Sequence, residues 1–165
     1  MRILTIDLGT HTGWAARVDA CTVLSGVQHF TPRRFEGGGM RFLRFSSWLA
    51  EIARTVGSVQ AVYFEEVRRH VSTDSAHVYG GMLAVLTAWC EVNKIPYQGV
   101  PVGTIKKHAT GKGNADKAKM IAAAQAIAVR WAPGIRITDD NEADALCLLD
   151  WALRENDLPT CRAPM

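Results

Sequence analysis

The chain has 165 residues, of which 48% are hydrophobic and 21% are charged. This composition fits one globular domain with a real core and excludes a disordered or low-complexity protein. The formal net charge of +3 permits an anionic partner without requiring one. No apolar run reaches the roughly 20 residues of a membrane span, and the N-terminal residues MRILTIDLG resemble a strand, not a signal peptide. We therefore expect a cytoplasmic protein that does not bind membranes.

The first part of the chain favours β-structure. Strands are predicted over residues 2–7, 13–20 and 22–30, with short connections that make them a meander. A glycine-rich loop over residues 31–39 follows. The apolar residues of positions 40–56 recur on one helical face, which predicts a helix there.

The remainder alternates between the two kinds of element. Strands are predicted at 59–65 and 96–100, and helices at 74–93, 102–108, 115–131 and 140–153. Thr73 or Asp74 is the predicted cap of the helix at 74–93. Together these elements predict an α/β fold, a mixed five-stranded sheet with helices on both faces. We expect a single domain over 1–156 and a loose tail over 157–165, which contains two prolines.

The cysteines do not indicate a zinc site. The four residues Cys21, Cys90, Cys147 and Cys161 contain no CxxC pair. We interpret them as small buried side chains of a reduced protein.

Acidic residues stand where separate elements would bring them to one end of the sheet. Asp7 closes the first strand and Glu65 the fourth, while Asp140 and Asp144 are four residues apart and share a helix face. Each taken alone fits a turn or a helix cap. Glu65, however, follows an apolar strand, where a carboxylate costs free energy unless it is paired or binds metal. Oxygen ligands from several elements are what hard divalent cations need, and two such ions can support phosphodiester cleavage.

The acidic residues and their surroundings resemble one protein family, the RuvC-like Holliday junction resolvases. The similar segments are Asp7-Leu8-Gly9-Thr10, Phe64-Glu65-Glu66-Val67, Thr73-Asp74-Ser75-Ala76, the spaced residues Lys106, Gly111, Gly113, Ala115 and Lys117, and Ala143-Asp144-Ala145-Leu146. They follow the order of the family from about residue 1 to residue 153. Each segment is a weak signal alone, and the ordered set is more specific.

The resemblance implies an RNase H-like fold and a crossover junction endodeoxyribonuclease of DNA recombination and repair. A homodimer would make paired nicks in a four-way junction, with water as the nucleophile, and leave 5′-phosphate and 3′-hydroxyl ends. The implied cofactor is two Mg²⁺ ions, for which Mn²⁺ could substitute. Asp7, Glu65, Asp140 and Asp144 would hold the ions, and Lys106 and Lys117 would act on the scissile phosphate.

The sequence departs from the family at two places. The family's fourth ligand lies three residues before the last aspartate, where this chain has Asn141, and we expect Asp140 to replace it. Asp139 and Glu142 are the less favoured substitutes. The family's aromatic wedge after its second acidic motif corresponds to Arg68, which could stack on a base or pair with phosphate.

Basic residues supply candidate contacts to nucleic acid. The predicted set is Arg33, Arg34, Arg68, Arg69, His70, Lys107 and Lys112. For Arg54 and Arg154 we favour a purely solvating role, and His29 and His108 are interpreted as ordinary surface residues.

Three alternatives remain open at this stage. A related nuclease could use the same carboxylates on RNA–DNA hybrid, flap or other branched DNA. Asp-Leu-Gly-Thr is also similar to the first phosphate motif of actin and sugar kinases, although those proteins need two such folds. A junction-binding module without catalysis is the third alternative, and the complete set of acidic residues argues against it.

Overall fold

The residues that the structure describes form a sheet of five strands, as the sequence predicts. The computed structural model describes residues 1–132 and 134–159. The strands are β1 (Ile3–Asp7), β2 (His11–Arg17), β3 (Val23–His29), β4 (Ala61–Glu66) and β5 (Tyr97–Pro101). Their spatial order is β3-β2-β1-β4-β5. The meander pairs are antiparallel, whereas β4 runs parallel to both β1 and β5, so the sheet is mixed.

Helices cover both faces of this sheet, which confirms the predicted α/β class. The described helices are α1 (Gly39–Val56), α2 (Thr73–Val92), α3 (Val102–Thr110), α4 (Lys117–Ala128) and α5 (Asp140–Glu155). One core packs α1 and α2 against alternate strand residues such as Leu4, Ile6 and Val62. The other packs α3, α4 and α5 against the intervening residues such as Ile3 and Ala61. This alternation decides which strand side chains can meet α5.

Glycines at two positions allow close packing that positions these helices. A β-carbon at Gly13 would overlap the backbone carbonyl of Asn141, so α5 begins directly against β2. A β-carbon at Gly81 would overlap the Phe42 ring, which brings α1 onto α2. Both contacts need the smallest side chain.

Helix starts differ from the predicted ones because of capping side chains. The cap of α2 is Ser72, which accepts a hydrogen bond from the Ser75 backbone N–H at 3.1 Å, so neither Thr73 nor Asp74 fills that role. Asp116 caps α4 by accepting from the Lys119 N–H at 2.9 Å. Because a cap lies outside the helix, α4 starts at Lys117 and is shorter than predicted.

The prediction for the cysteines is correct for two of them and wrong for a third. Cys90 and Cys147 are buried and free. Cys21 is exposed and disulfide-bonded. Cys161 and most of the predicted loose tail lie outside the described residues. Among the described helices, none is long and apolar enough to cross a membrane.

Candidate metal centre

Two neighbouring parallel strands bring the first two acidic residues together. Ile6 of β1 is paired with Phe64 of β4, so Asp7 and Glu65, the next residues along each strand, lie side by side at the same end of the sheet. Residues 3 and 61 face the helices α3, α4 and α5, and strand alternation places Asp7 and Glu65 on that same face. The two carboxylates therefore point to the side of the sheet on which α5 lies.

Helix α5 supplies the third carboxylate, Asp144, and is anchored at three points. Asp139 caps the helix by accepting from the backbone N–H groups of Asn141 and Glu142 at 2.8 and 3.3 Å. The buried Thr5 hydroxyl of β1 donates to the Ala145 carbonyl at 2.8 Å. Together with the contact at Gly13, these bonds fix Asp144 over the ends of β1 and β4.

The three side chains form a compact oxygen site, which we call the acidic end of the sheet. One carboxylate oxygen from each of Asp7, Glu65 and Asp144 lies within 4.8 Å of the others. Carboxylate oxygens are ligands that Mg²⁺ and similar hard cations prefer. The acidic end could therefore hold a metal ion.

Burial makes this site electrostatically costly without a cation. Burial, followed by the charges of Glu65 and Asp144, raises the pKa of Asp7 well above its usual value. Burial and the charge of Asp144 raise the pKa of Glu65 to about 7, and burial raises the pKa of Asp144 to about 6. The ionised forms of these three groups are therefore disfavoured in the absence of a compensating cation, and a bound divalent ion would reverse these pKa shifts.

Asp140 lies beside this group without belonging to it. Its carboxylate pairs with the Lys117 ammonium, and the bond to Lys117 lowers the pKa of Asp140. Its charge still contributes to the raised pKa of Asp7 and Asp144. Asp140 is thus close to the acidic end, with its carboxylate on the side of Lys117.

The other acidic and amide residues at the start of α5 are engaged elsewhere. Asp139 is the helix cap, and its Oδ1 also accepts from the Asn141 side-chain amide at 3.1 Å. Glu142 accepts from the Ser25 hydroxyl at 2.7 Å, which ties α5 to β3. Of the four residues considered for a fourth ligand, Asp140 alone has a carboxylate that neither caps the helix nor binds the sheet.

Both predicted lysines lie near the carboxylates. The charge of Lys106 lowers the pKa of Glu65 and of Asp144, against the larger effect of burial. Lys117 begins α4 and its side chain is 81% exposed. The charges of Lys106 and Lys117 thus both act on Asp144, and Lys117 is in addition ion-paired with Asp140.

The predicted nucleic-acid contacts follow strands that finish at the acidic end. Arg33 and Arg34 come after β3, Arg68, Arg69 and His70 after β4, and Lys107 and Lys112 lie in and after the helix that follows β5. The arginines and lysines of this set are exposed. Arg68 pairs with Glu66 at 3.2 Å, and the Arg34 guanidinium lies 5.3 Å from the centre of the Phe35 ring.

Tyr79 and Thr12 support the site, and sequence patterns give no sign of either role. The Tyr79 hydroxyl donates to the Glu65 carbonyl at 2.9 Å and accepts from the Val67 N–H at 3.2 Å. The His70 ring lies against it, with 4.9 Å between ring centres. The Thr12 hydroxyl donates to the Gly9 carbonyl at 2.6 Å and holds the turn after Asp7.

His108 is not the ordinary surface residue that the sequence predicts. Its Nε2 lies 2.8 Å from Oδ2 of Asp150, and its side chain is only 11% exposed. His29 is exposed, and its ring meets that of His11 on β2 at 4.6 Å between centres.

No family model and no curated protein sequence matches the chain. Solved structures do match, and structures of RuvC are among them. The chain is similar to Thermus thermophilus RuvC with a TM-score of 0.75 and 19% identity, over 97% of this chain and 99% of the other. It is also similar to T. thermophilus RuvC in complex with a Holliday junction substrate, with a TM-score of 0.72 and 20% identity over 89% of each chain. The chain therefore has the fold of the RuvC structures, which is the RNase H-like fold that the sequence motifs predict.

Proposed function

We propose that the protein is a metal-dependent endonuclease that resolves four-way DNA junctions by paired nicks, leaving 5′-phosphate and 3′-hydroxyl ends. The observation that carries this proposal is the meeting of Asp7, Glu65 and Asp144 within 4.8 Å at one end of a RuvC-like sheet. A likeness of fold alone does not give an activity. The buried carboxylates add the chemistry, because such a group is costly unless a cation binds there.

The ligand set fits magnesium. Asp7, Glu65 and Asp144 offer oxygen atoms only, and Asp140 is the proposed fourth ligand, on release from Lys117. When bound, two divalent ions would stabilise the charge that develops on the attacking oxygen of water and on the leaving oxygen of the phosphodiester during hydrolysis. The raised pKa values of Asp7, Glu65 and Asp144 support cation binding, since a nearby positive charge would stabilise the ionised form of each carboxyl group.

The chain's own residues orient the substrate around that centre. Lys106, whose charge acts on both Glu65 and Asp144, would hold a nonbridging oxygen of the scissile phosphate. Lys117 would release the Asp140 carboxylate and then, like Lys106, bind the scissile phosphate. Arg33, Arg34, Arg68, Arg69, His70, Lys107 and Lys112 would contact the DNA backbone beyond the cut.

Paired nicks require two active sites, which supports a homodimer. An apolar groove between α1 and α2 is our proposed interface with the second copy. It contains Leu43 and Val92, which are 63% and 82% exposed, together with Phe42, Val85 and Trp89. No charged side chain lines this groove among the described residues, as expected for the centre of a dimer interface.

The dimer has its own test. Leu43→Asp should shift the mass measured by sedimentation from a dimer to a monomer, because an aspartate cannot be buried in that interface. Arg54→Asp, on the same helix, should leave the dimer intact. A monomeric wild-type protein, or a dimer unaffected by Leu43→Asp, would overturn the proposed interface.

The activity is tested by cleavage with Mg²⁺ of four substrates of one sequence: a four-way junction, a linear duplex, a single strand and an RNA–DNA hybrid. We expect symmetric nicks confined to the junction. Cleavage of the hybrid instead would be consistent with the proposed metal centre and would mean that the enzyme acts on another class of substrate. Failure to cut any substrate, with ATP binding in a parallel assay, would favour the nucleotide-binding alternative.

A further inference from the structure

A second polar cleft lies away from the acidic end. It occupies about 390 Å³ where the last turn of α3, the turn after α4 and the second half of α5 meet. Its lining is His108, Arg130, Asp150, Arg154 and Leu158. Four of these five side chains are ionisable.

Asp150 is fully engaged within this cleft. Its Oδ1 accepts from the Arg130 guanidinium at 2.6 Å, and its Oδ2 lies 2.8 Å from His108 Nε2. The Asp150 side chain is 17% exposed. One arginine already neutralises this carboxylate, so further positive charge in the cleft is not needed to compensate it.

Arg154 adds a further positive charge to the cleft. It follows Asp150 by four residues on α5 and so shares its helix face. Within the described part of the chain, no carboxylate oxygen lies within 4.0 Å of its guanidinium. With two arginines and one aspartate the cleft has a charge of at least +1, and a concave site with excess positive charge attracts anions.

The cleft is separate from the proposed metal centre. Asp150 and Arg154 follow Asp144 by six and ten residues, which is about 9 and 15 Å along the helix axis. Six residues also turn the helix by about 240°. The cleft therefore opens on the flank formed by α3 and α4, while Asp144 faces the strand ends.

We propose that this cleft binds a phosphate group. Arg154 would supply a planar pair of N–H donors and Arg130 its N–H groups not used by Asp150, because two guanidinium groups match the oxygens of a phosphate. The phosphate could belong to the backbone of the bound DNA, which rests on the proposed function, or to a free phosphate compound. The separation of about 9 to 15 Å along the α5 axis corresponds to roughly three to four base-pair steps of DNA.

The first test uses inorganic phosphate and needs no nuclease activity. The wild-type protein, Arg154→Gln and the control Arg54→Gln are titrated with phosphate at constant ionic strength, and amide NMR signals are followed. Arg54 is exposed on α1, across the sheet from the cleft. We expect saturable shifts at residues 108, 130 and 150 in the wild type and the control, and at least fivefold weaker binding in Arg154→Gln.

The second test measures junction binding against salt concentration in an Asp144→Asn background. Loss of one phosphate contact should reduce the slope of log affinity against log salt by about 0.9 in Arg154→Gln but not in Arg54→Gln. A reduced slope assigns the site to DNA, and phosphate shifts with an unchanged slope assign it to a free phosphate compound. If neither measurement responds to Arg154→Gln, the proposal is wrong. If no junction binds at all, the proposed function fails and the phosphate titration alone decides.

Discussion

Helix α5 carries two half-buried aspartates in opposite electrostatic surroundings. Asp144 faces two other carboxylates, and burial together with Asp140 raises its pKa against the opposing lysines. Asp150, six residues later, is held between Arg130 and His108. The chain itself therefore supplies the partners that compensate Asp150. The acidic end of the sheet differs because its three carboxylates lie against one another and could hold a metal ion.

The largest expected effect is the loss of cleavage. Asp7→Asn, Glu65→Gln and Asp144→Asn should each lower the rate of junction cleavage at least about 10²-fold, because each removes a carboxylate that would hold the metal ions at the reacting centre. Junction affinity should be retained in all three, as measured by gel shift with Ca²⁺. Asp157→Asn is the control: Asp157 is exposed beyond the far end of α5, with a positive φ of 50° that asparagine also adopts. Full activity in any of the three would remove that residue from the metal site.

Neutralising one aspartate should change the free energy of unfolding in opposite directions at the acidic end, represented by Asp7, and at Asp150. Without divalent metal, Asp7→Asn should raise the free energy of unfolding by about 0.5–2 kcal/mol, because it relieves carboxylate repulsion. Asp150→Asn should lower it by about 1–3 kcal/mol, because two partners lose their charge-assisted bond. Urea unfolding in EDTA measures both. A stabilising Asp150→Asn would contradict the contrast on which this comparison depends.

The stability of the metal-free protein should fall as the pH rises from about 4 to 7. The pKa values of Glu65 and Asp144 are raised in the folded state to about 7 and about 6, so the folded state holds more protons than the unfolded state in this interval. Stability then decreases with increasing pH. Unfolding midpoints at pH 5 and pH 7.5 should show this difference in EDTA, and Mg²⁺ should reduce it. Glu65→Gln should flatten the dependence, and an unchanged slope would mean that Glu65 does not titrate in this range.

The smallest expected effect concerns Tyr79, which supports the acidic end of the sheet without being one of its carboxylates. Tyr79→Phe removes a hydroxyl that bonds to the backbone of Glu65 and Val67, which should cost about 1 kcal/mol of stability. Cleavage should also slow, by less than about tenfold, because about 1.4 kcal/mol corresponds to a factor of ten. Tyr63→Phe is the matched control. Tyr63 lies on β4, the strand of Glu65, but further from the carboxylates, and its hydroxyl accepts a hydrogen bond from the Asn156 side-chain amide at 2.8 Å. Equal cleavage by the two variants would mean that Tyr79 does not position Glu65.

Sequence patterns predicted the five strands and the main helices because each has a local signal. Apolar runs of β-forming residues mark strands such as β1 and β4, and the strand ends together with parallel pairing placed Asp7 and Glu65 at one end of the sheet. Their roles as metal ligands, with those of Asp140, Asp144 and the basic residues, stay predictions for the experiments above.

What the sequence did not predict depends on contacts between distant segments. Tyr79 bonds a carbonyl 14 residues away, and His108 bonds a carboxylate 42 residues away. No periodicity encodes such a pair, since either residue would fit a helix surface equally well. The start of α4 was misplaced for a different reason: Asp116 is a polar residue in a helical pattern, and only its bond to Lys119 shows that it is the cap.

The position of β1 in the middle of the sheet has a consequence for biosynthesis. The hydrogen bond from its buried Thr5 hydroxyl to the Ala145 carbonyl joins residues 140 positions apart, so it forms only after Ala145 has been synthesised. A nascent chain on the ribosome thus carries Asp7 and Glu65 long before Asp144 has been translated. At about 5–20 residues per second, several seconds separate the first ligand from the last, and during translation the proposed nuclease cannot yet cut DNA.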